Sequence, residues 1–300
     1  MGLLHQFVVS TLPFVPRPVM RRLAAHYIAG ETLEEAIGVL ARMRARGFAG
    51  VLDILGEDVE DAAAARGALA AYREGAQAIA GAGLDAYVSV KPTHFGLRLS
   101  TDLAHELFVE LLEHCAGLGQ FLRIEMEDHT TTDATLELVA RLRRDGHDPG
   151  LVLQSRLLRT LDDVEALGEE PHDVRMVKGI YIEPPSIAHT EAQAIRDAFV
   201  ECTARLFQRG HTVAIATHDE HLAARILRGA ADRGVAPERY YFEVLMGVQE
   251  HLWDRWRDAG HLVRVYVPFG PQWRAYSQRR LRKNPEVLRH VMRAAFRRRR

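Results

Sequence analysis

The chain has 300 residues, of which 47% are hydrophobic and 26% are charged, and its formal net charge is −1. A chain of this size can build one large core or two ordinary ones, and its near neutrality argues against a general nucleic-acid binder. Its two cysteines, Cys115 and Cys202, each lie in a helical pattern. This argues against a disulfide framework and a cysteine zinc site, and it favours a reducing cytoplasm.

The N-terminal region is predicted to form a helical arm. Residues 3–15 are partly apolar, but Pro13 and Pro16 interrupt them and they are too few to span a membrane. A Thr/Glu start and Gly47 as a stop then predict a helix over residues 31–46. No linker divides the rest of the chain. We therefore expect an arm over residues 1–46 and one catalytic domain over residues 47–300.

From residue 48 onward, strand and helix patterns alternate at intervals of roughly thirty residues. The predicted strands cover residues 48–55, 86–90, 121–126, 151–153, 174–180, 212–216, 240–245 and 262–267. The predicted helices cover residues 59–79, 102–117, 133–144, 161–167, 190–208, 221–233 and 249–258. This alternation predicts a (β/α)8 barrel. No glycine-rich dinucleotide fingerprint or Walker loop follows any strand, which weakens the nucleotide-binding folds.

The C-terminal region is predicted to contain a strongly basic helix. The strand before it is predicted to end near Pro268, and Tyr276, Arg279, Arg280 and Lys283 then share one helix face through their i, i+3, i+4 and i+7 spacing. Such a face is either exposed to solvent or forms a binding site for an anion. The second alternative is possible because two guanidiniums offer forked donors that suit a carboxylate or a phosphate.

Polar side chains collect where the predicted strands end, which is the end of such a barrel that carries the active site. They are Glu57, Lys91, Glu125, Gln154, Arg175, Lys178, Tyr181, Thr217, His218, Asp219 and Tyr266. Charges within apolar strands lose solvation unless they are paired or bind a ligand. The set predicts a pocket for an anionic small molecule together with a phosphorylated one, although Lys91 alone could be a structural ion-pair partner and His218 alone a cap.

A group of acids after the third strand raises the question of a metal. Glu125, Glu127 and Asp128 have His129 as their only nearby imidazole, and their spacing matches no recognised ligand set. We expect no metal there.

Seven segments at successive strand ends resemble the flavin-dependent proline dehydrogenases in their short monofunctional form. They are YIAGETLEEA (27–36), LDILGE (52–57), SVK (89–91), VRMVKGIY (174–181), ATHD (216–219), FEVLMG (242–247) and YVPFG with YSQRRL (266–281). The ordered set is specific, and the resemblance spans residues 27–285.

The resemblance implies a site in which proline is oxidised to 1-pyrroline-5-carboxylate by hydride transfer to FAD. Lys91, Arg279 and Arg280 would bind the carboxylate, while Glu57 would pair with Arg279 and close the site. Glu125 would belong to the same catalytic set. The last helix would lie over the mouth of a distorted barrel. The ring pocket would consist of Tyr181, Leu245, Tyr266 and Tyr276. The FAD contacts would be Met126, Gln154, Arg175, Val177, Lys178, Gly179, Tyr181, Thr217, His218, Asp219 and Leu245.

The resemblance also implies a quinone as electron acceptor. A membrane quinone would bring a cytoplasmic protein into peripheral contact with the inner membrane face. Nothing in the sequence predicts the oligomeric state.

Four positions depart from the pattern of the family. Glu125 stands where the family usually has Asp, Asp219 where it has Asn, Glu243 where it has Gln, and Lys283 where it has an acid. These changes leave the fold prediction intact and leave open whether the substrate is proline or an analogue.

Two other functions stay open on the sequence. A strand lysine flanked by acids, such as Lys178, is also how Schiff-base lyases on barrels begin. A flavin-binding homologue without activity is the alternative that the four departures suggest.

Overall fold

Eight parallel strands form the centre of the protein, which we describe from a computed structural model covering residues 20–21, 24–274 and 276–277. The strands are β1 (Ala49–Ile54), β2 (Ala86–Val90), β3 (Leu122–Ile124), β4 (Leu151–Gln154), β5 (Asp173–Val177), β6 (Thr212–Ala216), β7 (Tyr240–Leu245) and β8 (Val263–Phe269). Their order is β3-β2-β1-β8-β7-β6-β5-β4. The first and last strands along the chain are therefore neighbours.

The barrel closes through a short contact between β3 and β4. Arg123 forms a parallel bridge with Gly150, just before β4. The Gly150 N–H donates to the carbonyl of Leu122 and the Ile124 N–H donates to the carbonyl of Gly150, both at 2.9 Å. The predicted (β/α)8 barrel is confirmed.

Helices surround this barrel and cover its outer face. They are α1 (Leu33–Ala45), α2 (Ala62–Gly81), α3 (Thr101–Gly117), α4 (Thr132–Arg144), α5 (Thr160–Ala166), α6 (Ala192–Gln208), α7 (Glu220–Asp232) and α8 (Glu250–Asp258). Side-chain caps fix several starts: Thr32 and Glu35 form a capping box on α1, and Asp61, Ser100 and Asp219 cap α2, α3 and α7. No helix in this described part of the chain is long and apolar enough to cross a membrane.

The predicted bounds of β2, β6 and β7 are confirmed, while the other five strands differ from prediction at one or both ends. The prediction that β5 reaches residue 180 was wrong, because the strand ends at Val177 and Gly179 follows with a positive φ of 94°. The third strand is only three residues long, so Glu125 lies just after it. Both corrections place charged residues in loops at the rim of the barrel.

Pro268 does not end the eighth strand, contrary to prediction. β7 pairs with β8 only as far as Tyr266, so Pro268 lies beyond that ladder and its missing N–H breaks no bond to β7. Its carbonyl accepts a hydrogen bond from Ala29, and β1 pairs with β8 as far as Phe269. The residues just before α1 thus lie against the C-terminal end of β8.

A small apolar cluster joins the N-terminal residues to the start of the last helix. It consists of Met20, Ala24, Tyr27, Ile28, Leu55 and Trp273, with Tyr276 packed against it. The Trp273 indole N–H donates to Glu31 at 2.9 Å. A side chain at Gly247, whose φ is 74°, would collide with the His26 carbonyl. Both ends of the described chain therefore meet at the barrel mouth.

The predicted basic helix face with Arg279, Arg280 and Lys283 lies outside the described residues. The division into an arm over residues 1–46 and a catalytic domain over residues 47–300 stays a prediction.

Candidate active site

A cavity of about 670 Å³ opens at the C-terminal end of the barrel. Most of the sequence-predicted site residues line it: Glu57, Lys91, Glu125, Met126, Gln154, Arg175, Val177, Lys178, Gly179, Tyr181, His218, Leu245, Tyr266 and Tyr276. The structure also places Asp53, Asp58, Arg156, Ile180 and Glu243 in the wall. Cofactor sites in proteins typically occupy about 300–1,000 Å³, so this cavity has the size of a ligand site.

Arg175 stands between two carboxylates in the floor of the cavity. Its Nη1 donates to Glu125 Oε1 at 2.6 Å, and its Nε donates to Glu243. Glu125 Oε1 also accepts from Ser89 and, at 3.1 Å, from the Tyr266 hydroxyl. Burial would raise the pKa of Glu125, but Arg175 and Ser89 outweigh burial and the pKa is lowered. Glu125 is therefore a fixed carboxylate with an occupied oxygen.

Lys91 extends from the end of β2 and pairs with Glu57. Its ammonium lies 3.2 Å from Glu57 Oε2 and 3.5 Å from the carbonyl of Gly56. Burial alone would lower the pKa of Lys91, yet the carboxylates of Asp53 and Glu57 outweigh it and the pKa is raised. Lys91 therefore carries a charge. The predicted pairing of Glu57 with Arg279 falls outside the described residues and stays a prediction.

Asp53 is a cavity acid that the sequence reasoning missed. It lies near the end of β1, is 1% exposed, and its Oδ1 forms no hydrogen bond with the described residues. The pKa of Asp53 is raised to about 6, chiefly because burial disfavours the carboxylate. An acid inside the buried strand of LDILGE was the available signal, but only Glu57 of that segment was assigned a role.

Thr217 and Asp219 do not line the cavity, unlike the other described residues predicted to contact a cofactor. Thr217 is buried and its hydroxyl oxygen accepts from the Asp219 N–H at 3.1 Å. Asp219 caps α7 and accepts from Lys178 at 2.7 Å and from Arg196 at 2.6 Å. Burial would raise the pKa of Asp219, but these two cations hold it below its usual value. Its added charge is thus neutralised.

Gln154, Gly179 and His218 form another part of the cavity wall. The Gln154 amide donates to the carbonyl of Glu127 at 2.7 Å, and Gly179 lies so close that an added side chain would sit 3.0 Å from Gln154 Oε1. The Nε2 of His218 accepts from the Leu245 N–H at 3.0 Å, which fixes the end of β7. This wall is held by hydrogen bonds within the protein.

The acids after β3 are engaged in structural roles. Glu127 accepts from the N–H and the hydroxyl of Thr93, at 3.0 and 2.8 Å. Asp128 accepts from Arg98 at 3.0 Å and from the Thr130 N–H at 2.9 Å. Both carboxylates are therefore already engaged in hydrogen bonds within the protein.

Below the cavity, a second set of polar residues fills the N-terminal half of the barrel, and we call it the lower network: Tyr87, Arg123, Asp173, Tyr241 and Glu243. The Arg123 side chain is 0% exposed, yet each of its five N–H donors has an acceptor in Tyr87, Tyr241, Asp173 or the carbonyl of Leu151. Tyr87 in turn donates to Glu243, which also accepts from Arg175. The network thus reaches the cavity floor.

The comparisons with known proteins agree with this architecture. The profile of the family described as proline dehydrogenase matches residues 36–293. The chain belongs to the proline dehydrogenase family. Proline dehydrogenase of Deinococcus radiodurans is 31% identical over 274 residues, which are 90% of this chain and 88% of the relative. Proline dehydrogenase 2 of Bacillus subtilis is 29% identical over 268 residues, which are 89% of this chain and 88% of the relative.

Solved structures support the fold of this proline dehydrogenase family member. Proline utilization A of Bdellovibrio bacteriovorus, inactivated by N-propargylglycine, superposes with a TM-score of 0.80 at 24% identity, covering 86% of this chain and 32% of that one. A variant of proline utilization A from Bradyrhizobium japonicum gives 0.74 at 22% identity, covering 92% and 32%. This chain therefore spans about a third of those two solved chains.

Proposed function

We propose that this chain oxidises L-proline to 1-pyrroline-5-carboxylate with FAD as the hydride acceptor, a first step of proline catabolism. Membership of the family makes it an oxidoreductase that acts on proline. The observation that carries the proposal for the site is the cavity in which Lys91, Glu125, Arg175 and Tyr266 converge at the C-terminal end of the barrel.

The residues of the cavity fit a flavin. Apolar side chains such as Val152, Val177 and Leu245 offer a surface for a planar ring, while the Gln154 amide and the cations Arg156 and Lys178 are donors for its polar edge and phosphates. Met126, Gly179 and His218 would complete the contacts. The flavin, when bound, supplies the acceptor for the two electrons and the hydride.

The protein itself would bind and orient the substrate. The Lys91 ammonium would bind the substrate carboxylate together with Arg279 and Arg280. Its ion pair with Glu57 would break when the substrate binds. Tyr266 and Tyr276 would pack against the ring, with Tyr181 and Leu245 on the remaining wall. Fixing the ring against these side chains lowers the entropic cost of reaching the reactive geometry.

The described contacts do not favour a Schiff-base lyase. The Lys178 ammonium is bound to Asp219, and the raised pKa of Lys91, where nearby carboxylates outweigh burial, keeps that amine protonated. A protonated amine has no lone pair for attack on a carbonyl. The departures do not favour an inactive homologue either, because Glu243 and Asp219 are each bound to cations.

We propose that the protein is cytoplasmic and that its electron acceptor is a quinone, which would bring it to the inner membrane face. This proposal is supported by Ile180 and Ile182, which are 52% and 81% exposed in the loop after β5, with Ile180 on the cavity wall. An exposed apolar rim suits an apolar acceptor or a membrane surface.

The absorption spectrum of the purified protein tests the function. We expect flavin bands that proline bleaches under anaerobic conditions and that bleach more slowly in a Lys91→Met variant at the same, subsaturating proline concentration. Acid precipitation should release the flavin. Protein that takes up no FAD, or flavin that proline leaves oxidised, would contradict the proposal, and a borohydride-trapped adduct would favour the lyase.

A further inference from the structure

Asp53 differs from every other acid in the described cavity wall. The others are Glu57, Asp58, Glu125, Asp128 and Glu243, and each accepts a hydrogen bond from lysine or arginine. Asp53 is 1% exposed and its Oδ1 is buried without a hydrogen bond to any described residue. Because a buried carboxyl oxygen without a partner costs free energy, such a group calls for a donor that arrives with a ligand.

Other candidate proton acceptors of the described wall are each held by a neighbouring group. The pKa of Lys91 is raised, because Asp53 and Glu57 outweigh burial, and the residue holds its own proton. The Nε2 of His218 accepts from the Leu245 backbone. Burial holds the pKa of Tyr266 far above its usual value, so its hydroxyl stays protonated and donates to Glu125. Asp53, in contrast, has a buried oxygen, Oδ1, without a hydrogen bond to the described residues.

The groups around Asp53 have opposing effects on its pKa. Burial, together with Glu125, raises the pKa of Asp53, while Lys91, Tyr266 and Arg175 lower it, and the balance lies at about 6. The Tyr72 hydroxyl, on the α2 side, donates to the carbonyl of Ile54. A proton acceptor works best when its pKa lies near the pH of operation.

The proposed reaction requires such an acceptor. Proline in water carries a protonated ring nitrogen, and a hydride can leave the adjacent carbon only when that nitrogen has a lone pair. One N–H proton must therefore move before the C–H bond breaks. The nitrogen then forms the C=N bond with its lone pair and keeps its second proton, while the hydride passes to the flavin.

We propose that Asp53 is the catalytic base that removes this first proton from the substrate ammonium. The inference rests on the proposed function and adds a residue to it. Glu125 and Asp53 then divide two tasks between two neighbouring carboxyls: Glu125 stays ionised on Arg175, and Asp53 exchanges a proton.

An Asp53→Asn variant tests the proposal through the shape of its pH profile. In the unaltered enzyme, kcat/KM for proline should rise through about pH 6 and level off, since the base takes its proton from the abundant ammonium form. The variant should react only with the rare form of proline whose ring nitrogen is already deprotonated. Its kcat/KM should be about 100-fold lower or more at pH 7, and log kcat/KM should climb with a slope near 1 from pH 7 to 9.

Asp58→Asn is the matched control, because Asp58 also lines the cavity but is bound to Arg98. Its pH profile should keep the shape of the unaltered enzyme. A plateau above pH 6 in Asp53→Asn, or a uniform loss at every pH, would overturn the proposal.

Tetrahydrofuran-2-carboxylate, which has oxygen in place of the ring nitrogen, provides a readout that is independent of turnover. Calorimetry should show that Asp53→Asn with bound flavin still binds it, because this ligand delivers no proton. If Asn disrupts folding, Asp53→Glu should retain the rise through the acidic range and the plateau, at a lower rate. Unaltered protein whose flavin is not reduced by proline would refute the proposed function, whereas an unchanged profile in an active Asp53→Asn variant refutes only the role of Asp53.

Discussion

The two halves of the barrel interior contain the same kinds of residue in opposite states. In the N-terminal half, each donor of Arg123 meets an acceptor within the lower network. In the C-terminal half, one oxygen of Asp53 has no partner among the described residues. Lys91 pairs with Glu57 at 3.2 Å in the wall of an open cavity. The presence of charged residues therefore does not distinguish the structural half of the barrel from the half that contains the candidate active site. What separates them is whether the hydrogen-bonding capacity is already filled.

Arg123→Met should have the largest effect, and it should be on stability. The change leaves Asp173 without its buried cation and removes one of the two arginines beside Glu243, and breaking a buried pair of this kind typically costs about 3–5 kcal/mol. Urea titration would measure the free energy of unfolding, with Arg66→Met on the exposed face of α2 as the control. A loss no larger than that of the control would mean that the lower network is not structural.

Lys91→Met should instead act on the substrate. Charge-assisted hydrogen bonds to a carboxylate are worth about 1.5–3 kcal/mol, so KM for proline should rise roughly 10- to 100-fold. The unfolding free energy should change little. Arg196→Met is the control, because Arg196 is a cation that is bound to Asp219 and does not line the cavity. An equal rise in KM in both variants would contradict a specific carboxylate contact at Lys91.

The third prediction concerns acid stability and the N-terminal end of the barrel. His172 and His211 lie there with their rings 5.4 Å apart, and burial, with nearby arginines, lowers the pKa of each to about 4. Below about pH 6.5 the two histidines therefore bind protons in the unfolded state, whereas in the folded state they stay neutral until the pH approaches 4. Their contribution to stability is present above pH 6.5 and is lost as the pH falls towards 4.

His172→Phe removes one of these two groups and should reduce the acid loss. The reduction is on the order of 2 kcal/mol between pH 6.5 and pH 4. Melting temperatures across that range, for the unaltered protein and the variant, provide the measurement. Parallel curves would show that His172 does not titrate in the folded protein as described. A retained kcat/KM profile in the same variant would separate this response from that of Asp53.

The sequence predicted the barrel because hydrophobic periodicity and turn residues are local signals. The rim residues Lys91, Arg175 and Tyr266 could be predicted because strand ends of a parallel barrel meet at one edge. Strand ends were harder. The Pro268 prediction failed because the carbonyl of that residue serves a distant N–H, at Ala29.

Asp53 and the lower network could not be found from local patterns. Arg123 and Tyr241 are far apart in the chain and meet only when the barrel closes, at 2.7 Å. Thr217 and Asp219 show the reverse case. They follow a strand as cofactor contacts would, yet they are absent from the cavity wall and are bonded to each other and to two cations, so their role as cofactor contacts stays a prediction.

The pairing of β1 with β8 has a consequence for synthesis of the protein. Ala49 pairs with Arg264, and Tyr276 joins the apolar cluster that contains Met20, Ala24 and Leu55. During translation, β1 has no neighbour on that side until the final strand has left the ribosome, and contacts so distant in sequence slow folding. A nascent chain therefore has an exposed strand edge for most of its synthesis, and an aggregation risk that chaperones would have to limit.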